Sequence, residues 1–131
     1  MLDADMAQVV LIGRDWQFRA LLRAQLLEEG LEVEAYESVA TAWLTLEGSE
    51  PLPSLLLVDL SASEGPSRDA EQFAAWAPRI PIWIIAGRSL ITEKQLAGKG
   101  FELVLFRPVD IGELVEQIKR RVEGGSRSPR C

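Results

Sequence analysis

The stretch LLLVDLSASEGP (residues 55–66) runs through aliphatic residues into Asp59 and then breaks into small, polar, turn-forming ones. Such a run suits a buried strand. A carboxylate at its carboxyl end has two readings. It is either a turn acid that closes the strand or part of a site in the crevice beyond the strand ends, where open parallel sheets keep their chemistry. The sequence on either side decides between them.

Upstream, QVVLI (8–12) reads as a strand running into a turn at Gly13, Arg14 and Asp15. Residues 15–30 place Phe18, Leu21, Leu22, Gln25 and Leu26 at helical spacing, with Asp15 as N-cap and Gly30 as the stop. LEVEAY (31–36) alternates as a strand, and SVATAWLTLEG (38–48) predicts a second helix opened by Ser38. Downstream, RDAEQFAAWA (68–77) fits a helix closed by Pro78, and IPIWIIAG (80–87) a buried strand. SLITEKQLAGKG (89–100) is a weak helix and FELVLF (101–106) a fifth strand. DIGELVEQIKRRVEGG (110–125) closes the chain as an amphipathic helix. Near-continuous apolar strands alternating with helices predict a doubly wound α/β fold: a five-stranded parallel sheet covered on both faces by right-handed crossovers.

Composition narrows the function. The 131 residues, 47% hydrophobic, suffice for one domain with a real core. We read residues 1–123 as that domain and GGSRSPRC (124–131) as a flexible tail or linker. The net charge is −6, while Lys119, Arg120, Arg121, Arg127 and Arg130 crowd the last thirteen residues beside one acid, Glu123. An acidic body argues against nucleic-acid binding. There is no histidine, and the single Cys131 lies in the tail, so an internal disulfide or a cysteine cluster for metal is excluded. With acids near the N-terminus and no long apolar run, neither export nor membrane spanning is expected, and a cytoplasmic location is.

In order, length and punctuation, residues 8–122 resemble the receiver domain of bacterial response regulators, the flavodoxin-like module phosphorylated on aspartate by histidine kinases. RDWQFRALLRAQLLEEGLEVEAY (14–36) fits that family's first helix and second strand without a gap. LLLVD (55–59) fits its phospho-acceptor strand, and LFRPVDIGELVEQI (105–118) its last strand, lysine-proline turn and last helix. The resemblance implies that Asp59 holds the phospho-acceptor position.

The surrounding positions depart from the pattern. Where the family places two adjacent acids to hold magnesium, this chain has Gly13 and Arg14, with Asp15 one place further on. Its threonine or serine after the fourth strand is Ala86, its switch aromatic is Val104, and its lysine is Arg107, followed by Pro108. Magnesium is held by oxygen ligands and neutralises charge in phosphoryl transfer. A cation at about 4 Å in an effective dielectric near 20 opposes a unit charge by ~4 kcal/mol, and a divalent ion by twice that. Poor or absent metal affinity is therefore expected, with no cofactor.

These features predict a degenerate receiver that acts by recognising a signalling protein and is not an enzyme. In this picture Arg107, and Arg14 unless it is a solvated loop residue, bring guanidinium charge to Asp59, whose planar fork suits a paired hydrogen bond to carboxylate. An alternative keeps Asp59 as a phospho-acceptor with altered metal dependence. A nucleotide or flavin binder is a third option, without a Gly-rich phosphate loop to support it. By the resemblance, a homodimer would use the fourth helix, fifth strand and fifth helix, where Lys94, Lys99, Glu113, Glu116, Lys119 and Arg120 offer mixed charge. Trp83 is expected in the core, and Trp43 and Trp76 on helices covering the sheet. Trp16 is read as core packing against the first helix, with a crevice cap or partner surface as alternatives.

Overall fold

A computed structural model describes residues 8–47, 52–87 and 93–124. The chain alternates strand and helix throughout: β1 (Val9–Gly13), α1 (Trp16–Glu28), β2 (Val33–Tyr36), α2 (Val39–Glu47), β3 (Leu55–Asp59), α3 (Pro66–Ala74), β4 (Ile82–Ala86), α4 (Glu93–Leu96), β5 (Leu103–Phe106) and α5 (Ile111–Gly124). All pairings are parallel and the strand order is β2-β1-β3-β4-β5. That is the doubly wound sheet expected from the sequence, with its order reversing between β1 and β3.

Period-two alternation divides the core into two layers. Val10, Ile12, Leu56, Val58, Ile82 and Ile84 face one side with Phe73 and Trp76. Val9, Leu11, Leu55, Leu57, Trp83 and Ile85 face the other, against Leu22 and Leu26 of α1 and Leu114, Val115, Ile118 and Val122 of α5. The first layer is filled by edge-to-face aromatics, Trp43 meeting Phe73 at 5.6 Å and Trp76 at 4.7 Å between ring centres. Trp83 is buried as expected, and its indole N–H donates to Glu102 Oε2 at 3.0 Å. Arg121 donates to the same carboxylate and holds its pKa below the ordinary value of 4.5, against the opposing effect of burial.

Local signals set the ends of α1. Asp15 Oδ1 accepts from the Phe18 N–H at 3.2 Å, the N-cap bond expected there. Gly30, at φ 88°, closes the helix in a Schellman arrangement: the Leu31 N–H reaches Leu26 O at 3.2 Å and the Gly30 N–H reaches Leu27 O at 3.0 Å. Asp110 Oδ1 likewise accepts from the Glu113 N–H at 2.9 Å and opens α5.

Three expectations need correction. The third helix spans Pro66–Ala74, not 68–77, because Gly65 serves as N-cap and Pro66 takes the first helical position, where its missing N–H costs nothing. Trp76 accordingly packs from the turn after the helix. Trp16 is not core: it is 64% exposed at the first position of α1, off the buried stripe of Leu22 and Leu26. Leu21, read as part of the buried stripe, is 48% exposed. The weak fourth helix is described only from Glu93, and the tail after Gly124 lies outside the described residues. Among the described residues no helix is long and apolar enough to cross a membrane.

Candidate functional site

Strand parity and register assemble the site at the carboxyl ends of β1 and β3. Gly13 and Asp59 are paired neighbours in register, and they continue the alternation that points Leu11 and Leu57 toward α1 and α5. Arg107, the residue after β5, extends the parity of Leu103 and Leu105 onto the same side. Ala86 and Val104 belong to the opposite layer. Of the eight positions singled out from the sequence, Asp59, Gly13, Asp15 and Arg107 therefore meet. Ala86 and Val104 are packing residues on the far face of the sheet. Pro108 follows Arg107 through a cis peptide and is exposed.

Asp59 is only 7% exposed and is the one buried charged residue among those described. Its two oxygens have different partners. Oδ1 accepts from the Ser61 N–H at 3.0 Å, and Oδ2 accepts from Arg107 Nη2 at 2.7 Å. The same Nη2 lies 3.2 Å from Asp15 Oδ2, so one guanidinium nitrogen bridges two carboxylates. The Phe18 ring lies under the guanidinium, 4.3 Å from its carbon, adding a cation–π contact. The two-bond fork expected for Arg107 is not what forms. Nη2 alone serves both acids, and Nε is buried without a hydrogen-bond partner among the described residues.

Arg14 takes no part in this bridge. It is exposed and makes no ion pair among the described residues. The turn after β1 sends Arg14 outward while Asp15 caps α1. Arg14 instead lines a cleft of about 770 Å³ on the other flank of Asp59, toward α2 and α3, with Trp43, Glu64, Arg68 and Phe73 among its walls. Nearby, Ser63 Oγ donates to Asp69 Oδ2 at 2.7 Å and accepts from the Gly65 N–H at 3.1 Å, fixing the turn that forms the cleft rim.

Two features were not read from the sequence. Phe18 packs against the core layer as the helical stripe implies, but its ring also reaches Arg107, a contact that its three-residue spacing from the N-cap Asp15 could have suggested. Gly13 was read only as a missing acid. In three dimensions a Cβ at Gly13 would stand 3.0 Å from Asp59 Cβ and 3.3 Å from Asp59 O, a tight approach that would need Asp59 to yield by a few tenths of an ångström. Glycine meets this tight approach without displacing Asp59.

A receiver's magnesium needs converging oxygen ligands, and the donor set here does not fit. Gly13 offers no side chain, Arg14 is a cation, and Asp15 and Asp59 are both engaged by Arg107. Among the described residues no group of three or more acidic, histidine or cysteine side chains converges as a metal site.

No family model and no curated protein matches the chain. Solved structures do. A CheY-like response regulator receiver domain from Methanospirillum hungatei superposes with a TM-score of 0.73 at 17% identity, covering 90% of this chain and 94% of that one. A signal receiver domain from Bermanella marisrubri gives 0.71 at 20% identity, covering 87% and 96%. An orphan response regulator of Helicobacter pylori gives 0.69 at 15% identity, covering 87% and 94%. At these identities the likeness is one of architecture: the chain has the five-stranded, flavodoxin-like receiver fold of CheY-like response regulators.

Proposed function

We propose that this chain is a signalling module that keeps the receiver shape for recognising another protein and does not cycle through magnesium-dependent phosphorylation of Asp59. The observation that carries this reading is the bridge from Arg107 Nη2 to Asp59 at 2.7 Å and to Asp15 at 3.2 Å. A guanidinium placed there supplies permanently the positive charge that a metal would supply transiently, and arginine does not lose its proton at any physiological pH. Asp59 is thus a satisfied structural acid. Both of its oxygens are engaged, Oδ2 by Arg107 and Oδ1 by the Ser61 amide. With no acid at positions 13 or 14, nothing in the pocket favours exchanging the internal cation for an external one.

A second reading keeps Asp59 as a phospho-acceptor with altered metal use. It is favoured by the open cleft beside Asp59, lined by Arg14 and Arg68, which gives a small anionic donor a route in. Magnesium titration followed by tryptophan fluorescence separates the two, because Trp16 adjoins the bridging Asp15. The locked-site reading expects no saturable change up to millimolar magnesium. Saturable quenching would favour the second.

A further inference from the structure

We propose that the cleft between α2 and α3 docks an arginine side chain of a partner protein, its guanidinium stacked on Trp43 and paired with Glu47. This rests on the reading of the chain as a recognition module and names the surface and the chemistry that it recognises. The cleft, of about 770 Å³, opens beside Asp59 where the sheet order reverses between β1 and β3, and it has the volume of a ligand site. Its charges are unevenly placed. Among the described residues that line it, five are acids and two, Arg14 and Arg68, are cations. Crossover helices begin at the carboxyl ends of the strands, so Arg14, Glu37, Glu64, Arg68 and Asp69 lie at the Asp59 end, where both signs meet. Glu47, the last residue of α2, lines the cleft about 12 Å further along. It is exposed and makes no ion pair among the described residues.

What stands beside Glu47 identifies the occupant. Trp43 lies one helical turn earlier on the same face of α2, half-buried and also in the cleft wall. From α3, Phe73 packs 5.6 Å from its ring, and the neighbouring Gln72 is exposed and lines the cleft. An aromatic ring, a carboxylate and an amide oxygen make up the partner set of a guanidinium. The chain already uses such partners itself. Arg107 lies 4.3 Å over Phe18 and pairs with Asp15 and Asp59. Trp76, 4.7 Å from Trp43, carries Arg79 at 4.6 Å. Trp43 and Glu47 repeat the ring and the acid, and among the described residues no cation of this chain lies over Trp43. Arginine suits the place better than lysine, because a planar fork lies on the ring and reaches the carboxylate at once. The excess of acids along the cleft and the net charge of −6 favour the approach of a cation. One side chain is a small contact, so a short peptide is expected to bind with a dissociation constant of roughly 1 mM.

Heteronuclear NMR on the nitrogen-labelled full chain tests this, by titration with an end-blocked glycine-arginine-glycine peptide and with its citrulline and lysine counterparts. The expected result is a saturable shift of the Trp43 indole N–H and of the Glu47 and Gln72 amides. Citrulline, the neutral isostere, should bind at least about 10-fold more weakly, with lysine between the two. Glu47→Lys abolishes the shifts, and since a cation suits the end of a helix, the rest of its spectrum stays as in the parent. Gln72→Glu adds a second carboxylate at an exposed position and tightens binding by about 3-fold. The absence of a saturable shift overturns the proposal, as do shifts centred on the acids of α5 and citrulline or lysine binding as tightly as arginine. Binding unchanged by Glu47→Lys, or no tighter with Gln72→Glu, overturns it too. Trp43 shifts that follow dilution of the protein alone give the cleft to a second copy and also overturn it. Phosphodonor treatment keeps the two readings apart. Uptake of phosphate by Asp59 strikes the locked-site reading whether or not the peptide binds, whereas failure of the peptide on a chain whose Asp59 stays unmodified strikes only the cleft.

Discussion

The two flanks of Asp59 are built from opposite solutions to the same problem, a carboxylate at the end of a buried strand. Toward α1 and β5 the flank is closed: Arg107 bridges Asp59 and Asp15 and rests on Phe18. Toward α2 and α3 it is open, a cleft in which Arg14 reaches solvent. The chain carries an arginine on each side, yet only one satisfies the buried acid. Position along the backbone decides which. Arg107 continues the inward parity of β5, whereas Arg14 lies on a turn that commits its neighbour Asp15 to capping a helix. Sequence distance from the acid is no guide, since the partner that matters lies 48 residues away.

The contrast sets an order of expected effects. The largest belongs to Gly13, which floors both flanks. Gly13→Asp, the change that would begin to rebuild an acid pair, crowds Asp59 Cβ and adds a third carboxylate beside Asp15 and Asp59. It should cost about 3 kcal/mol in urea-induced unfolding, and a neutral or stabilising result would show that the strand ends have room to spare. Arg107→Ala comes next, at about 1–3 kcal/mol. It leaves Asp59 buried with the Ser61 amide as its remaining partner, and the partial exposure of Arg107 lets water soften the loss. Arg107→Lys should recover most of this, because a single nitrogen makes the bridge, and lose only the stacking on Phe18, about 0.5–1 kcal/mol. Smallest is Arg14→Ala, which should stay within about 0.5 kcal/mol of the parent. Equal costs for Arg14→Ala and Arg107→Ala would erase the distinction between the flanks.

Much of this was legible before the structure. The five strands declare themselves as aliphatic runs, the N-cap at Asp15 and the stop at Gly30 follow from residue chemistry, and the strand preceding Pro108 was enough to aim Arg107 inward. What escaped the sequence has identifiable causes. α1 is apolar on both sides, so helical periodicity admits two assignments for Trp16 and Leu21, and only tertiary packing selects Leu22 and Leu26 for the core. Gly65 and Pro66 read as loop because glycine and proline punctuate turns as often as they begin helices. The tight approach of Gly13 to Asp59 depends on how two strands separated by a helix come together, which no spacing encodes.

That Asp59 serves as a structural acid is the central claim, and its most direct test is chemical. The purified protein is incubated with a small-molecule phosphodonor and magnesium and followed by intact mass and peptide mapping, with rapid quenching to preserve an acyl phosphate. The account expects no phosphoryl adduct on Asp59 in the parent chain. Stoichiometric, magnesium-dependent modification of Asp59 would contradict it.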